Sequence, residues 1–183
     1  MVELSEVKME LPKITKKTVE EVEKQTDYES RFIGKPLKVI FLDIDGVMNS
    51  ALGTEPYLAD MECSKLALLK KVMTECFIYG IILISDRRYS KPYMNQFLDA
   101  LDEYEIFMID EIRKPKSIFE DPEDNRGKQL RDYLAIATDI KKFVILDDND
   151  EGISEFYPKE FIQVDRFHGL TEEVCQRIKE VLE

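Results

Sequence analysis

The sequence predicts an α/β fold: a mainly parallel sheet with helices on both sides, in three layers. Short, continuously apolar runs at residues 39–42, 81–84, 106–109 and 143–146 alternate with stretches of helical period. The runs are apolar at every position rather than every second one, as strands buried on both faces of a parallel sheet are. Three strands expected to lie side by side also end in polar clusters, Asp43/Asp45, Ser85/Arg87/Arg88 and Asp147/Asp148/Asp150.

Composition narrows the class. With 183 residues and 44% hydrophobic content, the chain has the makings of one globular domain with a real core. No apolar run approaches the ~20 residues of a membrane helix. No signal-peptide core opens the chain. Cys63, Cys76 and Cys175 are widely spaced and odd in number, which favours a reduced, cytoplasmic protein. A net charge of −12 argues against non-specific coating of nucleic acid, which needs a basic face. A nucleic-acid end or a small phosphate ester stays compatible, since a few arginines and a metal serve it locally.

Residues 1–35 are rich in Lys and Glu, with only Val19 and Val22 as a weak stripe, and are expected to be a charged extension ahead of a domain at 36–183. Residues 38–42 are the first strand, and Gly46 permits a sharp turn or close backbone approach after it. The ten residues 51–60 are a short connection containing Gly53 and Pro56. Residues 61–79 are expected to be a helix with Leu66, Leu69, Val72, Met73 and Phe77 inward, stopped by Gly80. After the strand at 81–84, residues 89–104 carry Phe97, Leu98 and Leu101 on a second helix, and 106–109 are a third strand.

A loop of roughly 15 residues, at 110–125, is long enough to suggest a function. The helix at 126–138 is expected to turn Leu130, Leu134 and Ile136 or Ala137 inward. A fourth strand at 142–146, a fifth at 160–165 and a helix at 171–182 close the chain, with Thr171 as N-cap and Glu172 and Glu173 in the first turn. His168, the only histidine, is read as a surface-loop residue. Tyr89, Tyr93 and Phe97 at helical spacing are read as core before base-stacking platforms.

In open α/β sheets ligands gather beyond the carboxyl ends of the strands. Asp43 and Asp45, together with Asp147, Asp148 and Asp150, place several carboxylates in one crevice there. Like charges so close are costly unless a cation joins them, and a hard ion with oxygen ligands, Mg²⁺, suits the set. Ser85 adds a hydroxyl, and Arg87 and Arg88 add cations that suit a phosphate.

Phe-Leu-Asp-Ile-Asp-Gly-Val at 41–47 resembles the first motif of the haloacid dehalogenase (HAD) superfamily, mostly Mg²⁺-dependent phosphatases. Ser85 resembles its second motif, Arg126-Gly127 its third and Asp147-Asp148 its fourth. The strings Asn-Arg-Gly-Lys-Gln-Leu-Arg-Asp-Tyr-Leu, Phe-Val-Ile-Leu-Asp-Asp-Asn-Asp and Gly-Leu-Thr-Glu-Glu are similar to the HAD domain of Swiss Army Knife RNA repair proteins. Ser-Asp-Arg-Arg also resembles the Ser-Gly-Arg of polynucleotide kinase-phosphatase phosphatase domains. Two departures stand out. Arg126 replaces the usual Lys, with Lys128 as the alternative and Lys114 too distant. Arg87-Arg88 replaces a Trp-Arg.

The resemblance implies a Rossmann-like HAD domain with a minimal cap or none, since the ten residues at 51–60 cannot build the cap domain of larger relatives. It implies Asp43 as nucleophile, Asp45 as general acid/base with a raised pKa, Ser85 and Arg126 or Lys128 on the phosphoryl oxygens, and Arg87, Arg88 and Gly46 at the substrate. Mg²⁺ would rest on Asp43, the Asp45 carbonyl, and Asp148 or Asp147. Asp148 is the expected direct ligand and Asp150 a weaker candidate. The expected activity is phosphomonoester hydrolysis through an aspartyl-phosphate, on a nucleic-acid end. The alternatives are a catalytically silent binding or regulatory module and a small-metabolite phosphatase or nucleotidase.

Overall fold

The computed structural model describes residues 37–112 and 125–183, all within the unit Gly34–Glu183. The expected N-terminal extension, most of the long loop with Lys114 and Lys116, and the side chain of Arg88 lie outside the described residues. In chain order the elements are β1 (Leu37–Leu42), β2 (Tyr57–Leu58), β3 (Met61–Glu62), α1 (Cys63–Cys76), β4 (Gly80–Leu83), a 3-10 turn (Asp86–Tyr89) and α2 (Lys91–Glu103). Then follow β5 (Met108–Glu111), α3 (Arg126–Ile136), β6 (Ile140–Asp147), α4 (Ile153–Phe156), β7 (Phe161–Gln163) and α5 (Glu172–Leu182).

Among the described residues, five strands form one sheet in the order β5-β4-β1-β6-β7, every neighbouring pair parallel. The chain therefore builds outward from β1 through β4 to β5, then returns to the other side of β1 for β6 and β7. That reversal makes the carboxyl ends of β1 and β6 the topological switch point, where α/β sheets bind their ligands.

Pleating sends alternate residues to opposite faces. Ile40, Leu42, Ile81, Leu83, Val144 and Leu146 pack under α1, α2 and α5. Val39, Phe41, Ile82 and Ile145 pack with Leu130 of α3 and Ile153 of α4. The sheet is thus covered on both faces, which accounts for the unbroken apolar runs within β1, β4 and β6. Phe41, fully buried, meets the edges of Tyr133 and Phe143 at centroid distances of 5.9 and 5.6 Å. Its truncation to Ala would cost about 3–5 kcal/mol.

Several boundaries differ from the sequence expectation. The first helix starts at Cys63, because Met61–Glu62 pair with Tyr57–Leu58 in a hairpin. That hairpin turns on Ala59 and Asp60, both at positive φ (49° and 62°), the geometry of a tight two-residue turn. The helix ends at Phe77 (φ 54°), whose amide reaches the carbonyls of Met73 and Thr74, and Gly80 belongs to β4. Phe77 is exposed rather than inward, as are Leu98 and Ile136. Phe97, Ala100 and Leu101 are the buried residues of α2, and Ile136 closes the last turn of α3. The third strand lies two residues later than expected, at Met108–Glu111. Thr171 does cap α5, accepting from the Val174 amide at 3.3 Å. No helix among the described residues is long and apolar enough to cross a membrane.

Candidate active site

Backbone pairing assembles the site. Leu42 of β1 stands level with Leu146 of β6 and Leu83 of β4. The Asp43 amide donates to the Leu146 carbonyl at 2.9 Å, and the Ile84 amide to the Leu42 carbonyl at 3.0 Å. Asp147 as the last residue of β6, Asp43 one residue past β1 and Ser85 two past β4 therefore emerge together at the ends of three adjacent strands. One oxygen from each of Asp43, Asp147 and Asp148 lies within 4.8 Å of the others. Asp147 and Ser85 are buried, and Asp43 is 5% exposed.

Arg126 projects into this cluster from the first turn of α3. Its guanidinium pairs with Asp147, lies 3.6 Å from Asp43, and has Glu151 and Asp86 at 3.6 and 3.9 Å. Asn125 caps the helix by accepting from the Lys128 amide at 2.9 Å, which fixes Arg126 at its first position. Gly127 lets α3 approach α4: a Cβ there would meet the Gly152 carbonyl oxygen at 2.1 Å. Arg126 supplies the ion pairs described for Asp43 and Asp147. Lys128, the alternative, is half-buried two residues further along α3.

The acids are held uncomfortably. Burial, reinforced by Asp147, pushes Asp43 up to about 7, against the pull of Arg126 and of hydrogen bonds from Ser85 and the Ile44 amide. Burial likewise raises Asp147 to about 6, opposed by Arg126 and the Asn149 amide. Burial works against the charge of Arg126 too, but Asp147 and Asp43 more than offset it. Gly46 (φ 75°) brings Asp148 over this pair, since a Cβ on Gly46 would stand 2.5 Å from an Asp148 carboxylate oxygen. Three carboxylates around one buried cation leave charge uncompensated. The all-oxygen donor set of Asp43, Asp147 and Asp148 fits a hard divalent ion such as Mg²⁺.

Asp45 is turned elsewhere. Its two oxygens accept from Arg87 Nε and Nη2, both at 2.8 Å, a bidentate pair. Arg87 Nη1 reaches Asp60 at 2.5 Å, and the guanidinium lies over the Tyr93 ring at 4.8 Å. Asn49 Nδ2 donates to Asp45 at 3.2 Å, and its Oδ1 accepts from the Gly46 amide at 2.8 Å. The sequence-based expectation of a raised Asp45 pKa is therefore corrected. Burial pushes it upward, but Arg87 and Asn49 hold it below the usual value. Its side chain also stands outside the carboxylate cluster, leaving only its backbone carbonyl for the expected metal contact.

Other expectations resolve differently. Asp150 accepts from the Ser154 amide at 2.8 Å, which ties it to α4. His168 is an exposed loop residue paired with Asp165 at 2.8 Å. Phe97 is core, whereas Tyr89 is exposed and Tyr93 supports Arg87. The sequence reading missed Asn49, Asp60 and Arg166, whose Nε lies 3.7 Å from Asp148. Asn49 was within reach, six residues past Asp43 in the same string, but Asp60 becomes visible only once the hairpin is known.

An all-parallel α/β sheet with paired acids after its central strand, a hydroxyl after the next and a second acidic pair after β6 defines a HAD-type domain, a class of phosphatase-type hydrolases. The chain belongs to the family described as the HAD domain in Swiss Army Knife RNA repair proteins, which matches residues 39–175. A search of curated proteins finds no significant match.

Proposed function

We propose that the chain is a Mg²⁺-dependent phosphomonoester hydrolase working through an aspartyl-phosphate on Asp43. The observation that carries this reading is the convergence of Asp43, Asp147 and Asp148 within 4.8 Å, beside Ser85 and Arg126. Asp43, Asp147 and Asp148 would hold the ion, which supplies charge neutralisation at the phosphoryl oxygens. In the first step an Asp43 oxygen bonds to phosphorus as the ester P–O bond breaks, and the departing oxygen takes a proton from Asp45. In the second, water attacks the phosphorus, Asp45 receives its proton, and the Asp43–phosphorus bond breaks to release phosphate.

Ser85 and Arg126 stand beside Asp43, where a transferring group would need donors. The Arg87 pair keeps Asp45 ionised, which suits the second step, and the first requires that pair to loosen. For the substrate we favour a phosphorylated nucleic-acid end, in line with the family's description in RNA repair. The connection after β1 carries a two-stranded hairpin, too small to enclose a substrate by itself, which suits the end of a long chain. A pairing of Asp45 this complete is also what a silent binding module would tolerate.

Initial rates with Mg²⁺ on 5′- and 3′-phosphorylated oligonucleotides and on p-nitrophenyl phosphate separate these readings. The proposal expects turnover that Asp43→Asn abolishes and a higher kcat/KM on an oligonucleotide end. Faster hydrolysis of the small ester would favour a metabolite phosphatase. Saturable binding of phosphorylated ends without turnover would establish the silent module.

A further inference from the structure

Arg87 is held at the outer rim of the crevice by several partners. Three of its nitrogens are engaged, Nε and Nη2 by Asp45 at 2.8 Å and Nη1 by Asp60 at 2.5 Å. Tyr93 lies 4.8 Å beneath the guanidinium. The acids it joins come from different places. Asp45 follows β1, and Asp60 sits in the two-residue turn of the β2–β3 hairpin. Asn49 repeats the connection on a second path, donating to Asp45 and to the Asp60 carbonyl, each at 3.2 Å. A planar guanidinium bound on two edges and one face has a fixed orientation, and its carboxylate partner is fixed with it.

We propose that Asp60 is a positioning residue for the phosphatase reaction. By holding Arg87 from the far side, it fixes the plane in which Asp45 meets the reacting oxygen. The inference rests on the role given to Asp45 above, and it reassigns Arg87 from substrate contact to clamp. The hairpin then has a task besides covering the sheet. Its turn carries the outer acid, so the geometry of the acid/base depends on whether the hairpin is seated. A positioned acid/base contributes roughly 10²–10⁴ in rate. Loosening it through Asp60 forfeits part of that, while substrate affinity, set elsewhere, is left alone.

The test uses the full-length protein with Mg²⁺ and two probes, p-nitrophenyl phosphate and a 5′-phosphorylated oligonucleotide, after circular dichroism has established that each variant is folded. Asp60→Ala is expected to lower kcat about tenfold with KM within about twofold, and Asp60→Asn, which keeps an acceptor, to recover most of the loss. Adding Asp60→Ala to Arg87→Ala is expected to lower kcat no further, because both act through the same carboxylate. A second readout needs no turnover. The Arg87 Nε–H resonance should be sharp and slowly exchanging in the wild type and in Asp60→Asn, and broadened or lost in Asp60→Ala.

A raised KM with kcat intact in Arg87→Ala would make Arg87 a substrate contact and overturn the proposal. So would losses that multiply in the double variant, or a resonance indifferent to Asp60→Ala. If the wild type turns over neither probe, the phosphatase reading fails. The clamp is then judged by the resonance alone.

Discussion

Replacing Arg126 by Met removes the ion-pair partner that Asp43 and Asp147 share, while leaving an unbranched, uncharged side chain in its place. Arg126 is 10% exposed at its side chain, Asp147 0% and Asp43 7%, so none of the three can recover hydration. Breaking a buried pair by deleting one partner costs about 3–5 kcal/mol, because the remaining charge stays buried. That applies in metal-free protein at about pH 8, where both acids are ionised in the unfolded chain.

Both folded-state pKa values lie above the ordinary Asp value, at about 7 and about 6. The stability they contribute is fully present below the unfolded pKa and is lost as pH rises through those values. At about pH 5.5 most of this pair already carries protons, so Arg126 has little charge to neutralise and the difference should shrink to about 1 kcal/mol, the scale of a single hydrogen bond. For a domain of this size 1 kcal/mol moves Tm by about 2–4 °C. Melts in EDTA should therefore show Arg126→Met lower by at least about 6–12 °C at the higher pH, and by only a few degrees at the lower. An equal deficit at both pH values would refute the reasoning, since it would mean that lost packing, not uncompensated charge, sets the cost.

Three more outcomes follow from the same site. Mg²⁺ should stabilise the wild type by about 2.7 kcal/mol at a hundredfold excess over Kd, seen as a Tm that rises with its concentration, and calorimetry should show the binding weakened in Asp148→Asn. Asp43→Asn should hydrolyse nothing, yet in EDTA at about pH 8 it should melt no lower than the wild type, because it removes a carboxylate whose ionisation burial opposes. Gly127→Ala should lose about 1–3 kcal/mol in urea denaturation, since the added carbon meets backbone that cannot swing aside. Unchanged stability would mean that α3 and the loop before α4 separate freely.

The sheet was legible because its strands are buried on both faces. Residues 39–42 and 143–146 had to be apolar throughout, and that leaves an unbroken run with a polar end. The same logic exposed Asp43, Ser85 and Asp147, each standing where an apolar strand stops. Arg126 entered through the likeness of Arg126-Gly127 to a known motif, with Lys128 left open, and the Asn125 cap that makes Arg126 the first residue of α3 is seen in the structure. Phe77 and Gly80 misled because a glycine after a periodic segment suggests a helix stop, whereas the left-handed position fell to Phe77 and Gly80 went into β4. The hairpin was invisible for a similar reason. Ala59-Asp60 adopts a turn usually signalled by Asn-Gly, and strands of two residues carry no period. With the hairpin hidden, Arg87 looked like a free cation awaiting phosphate.

The charges of the site fall into two groups of different physical character. Asp43, Asp147 and Arg126 are enclosed, so their energetics follow burial and protonation and respond weakly to salt. Asp45, Arg87 and Asp60 are part-exposed, with side chains 54%, 31% and 63% accessible, so their pairing is open to screening by salt. This division matches the two demands of the proposed phosphoryl transfer. The group that bonds to phosphorus gains from a fixed, desolvated environment. The group that gives and takes a proton has to change charge within one turnover, and it can do so where solvent and a neighbouring cation share the adjustment. Added salt should therefore alter kcat through the outer group at concentrations that leave the melting behaviour of the inner one unchanged.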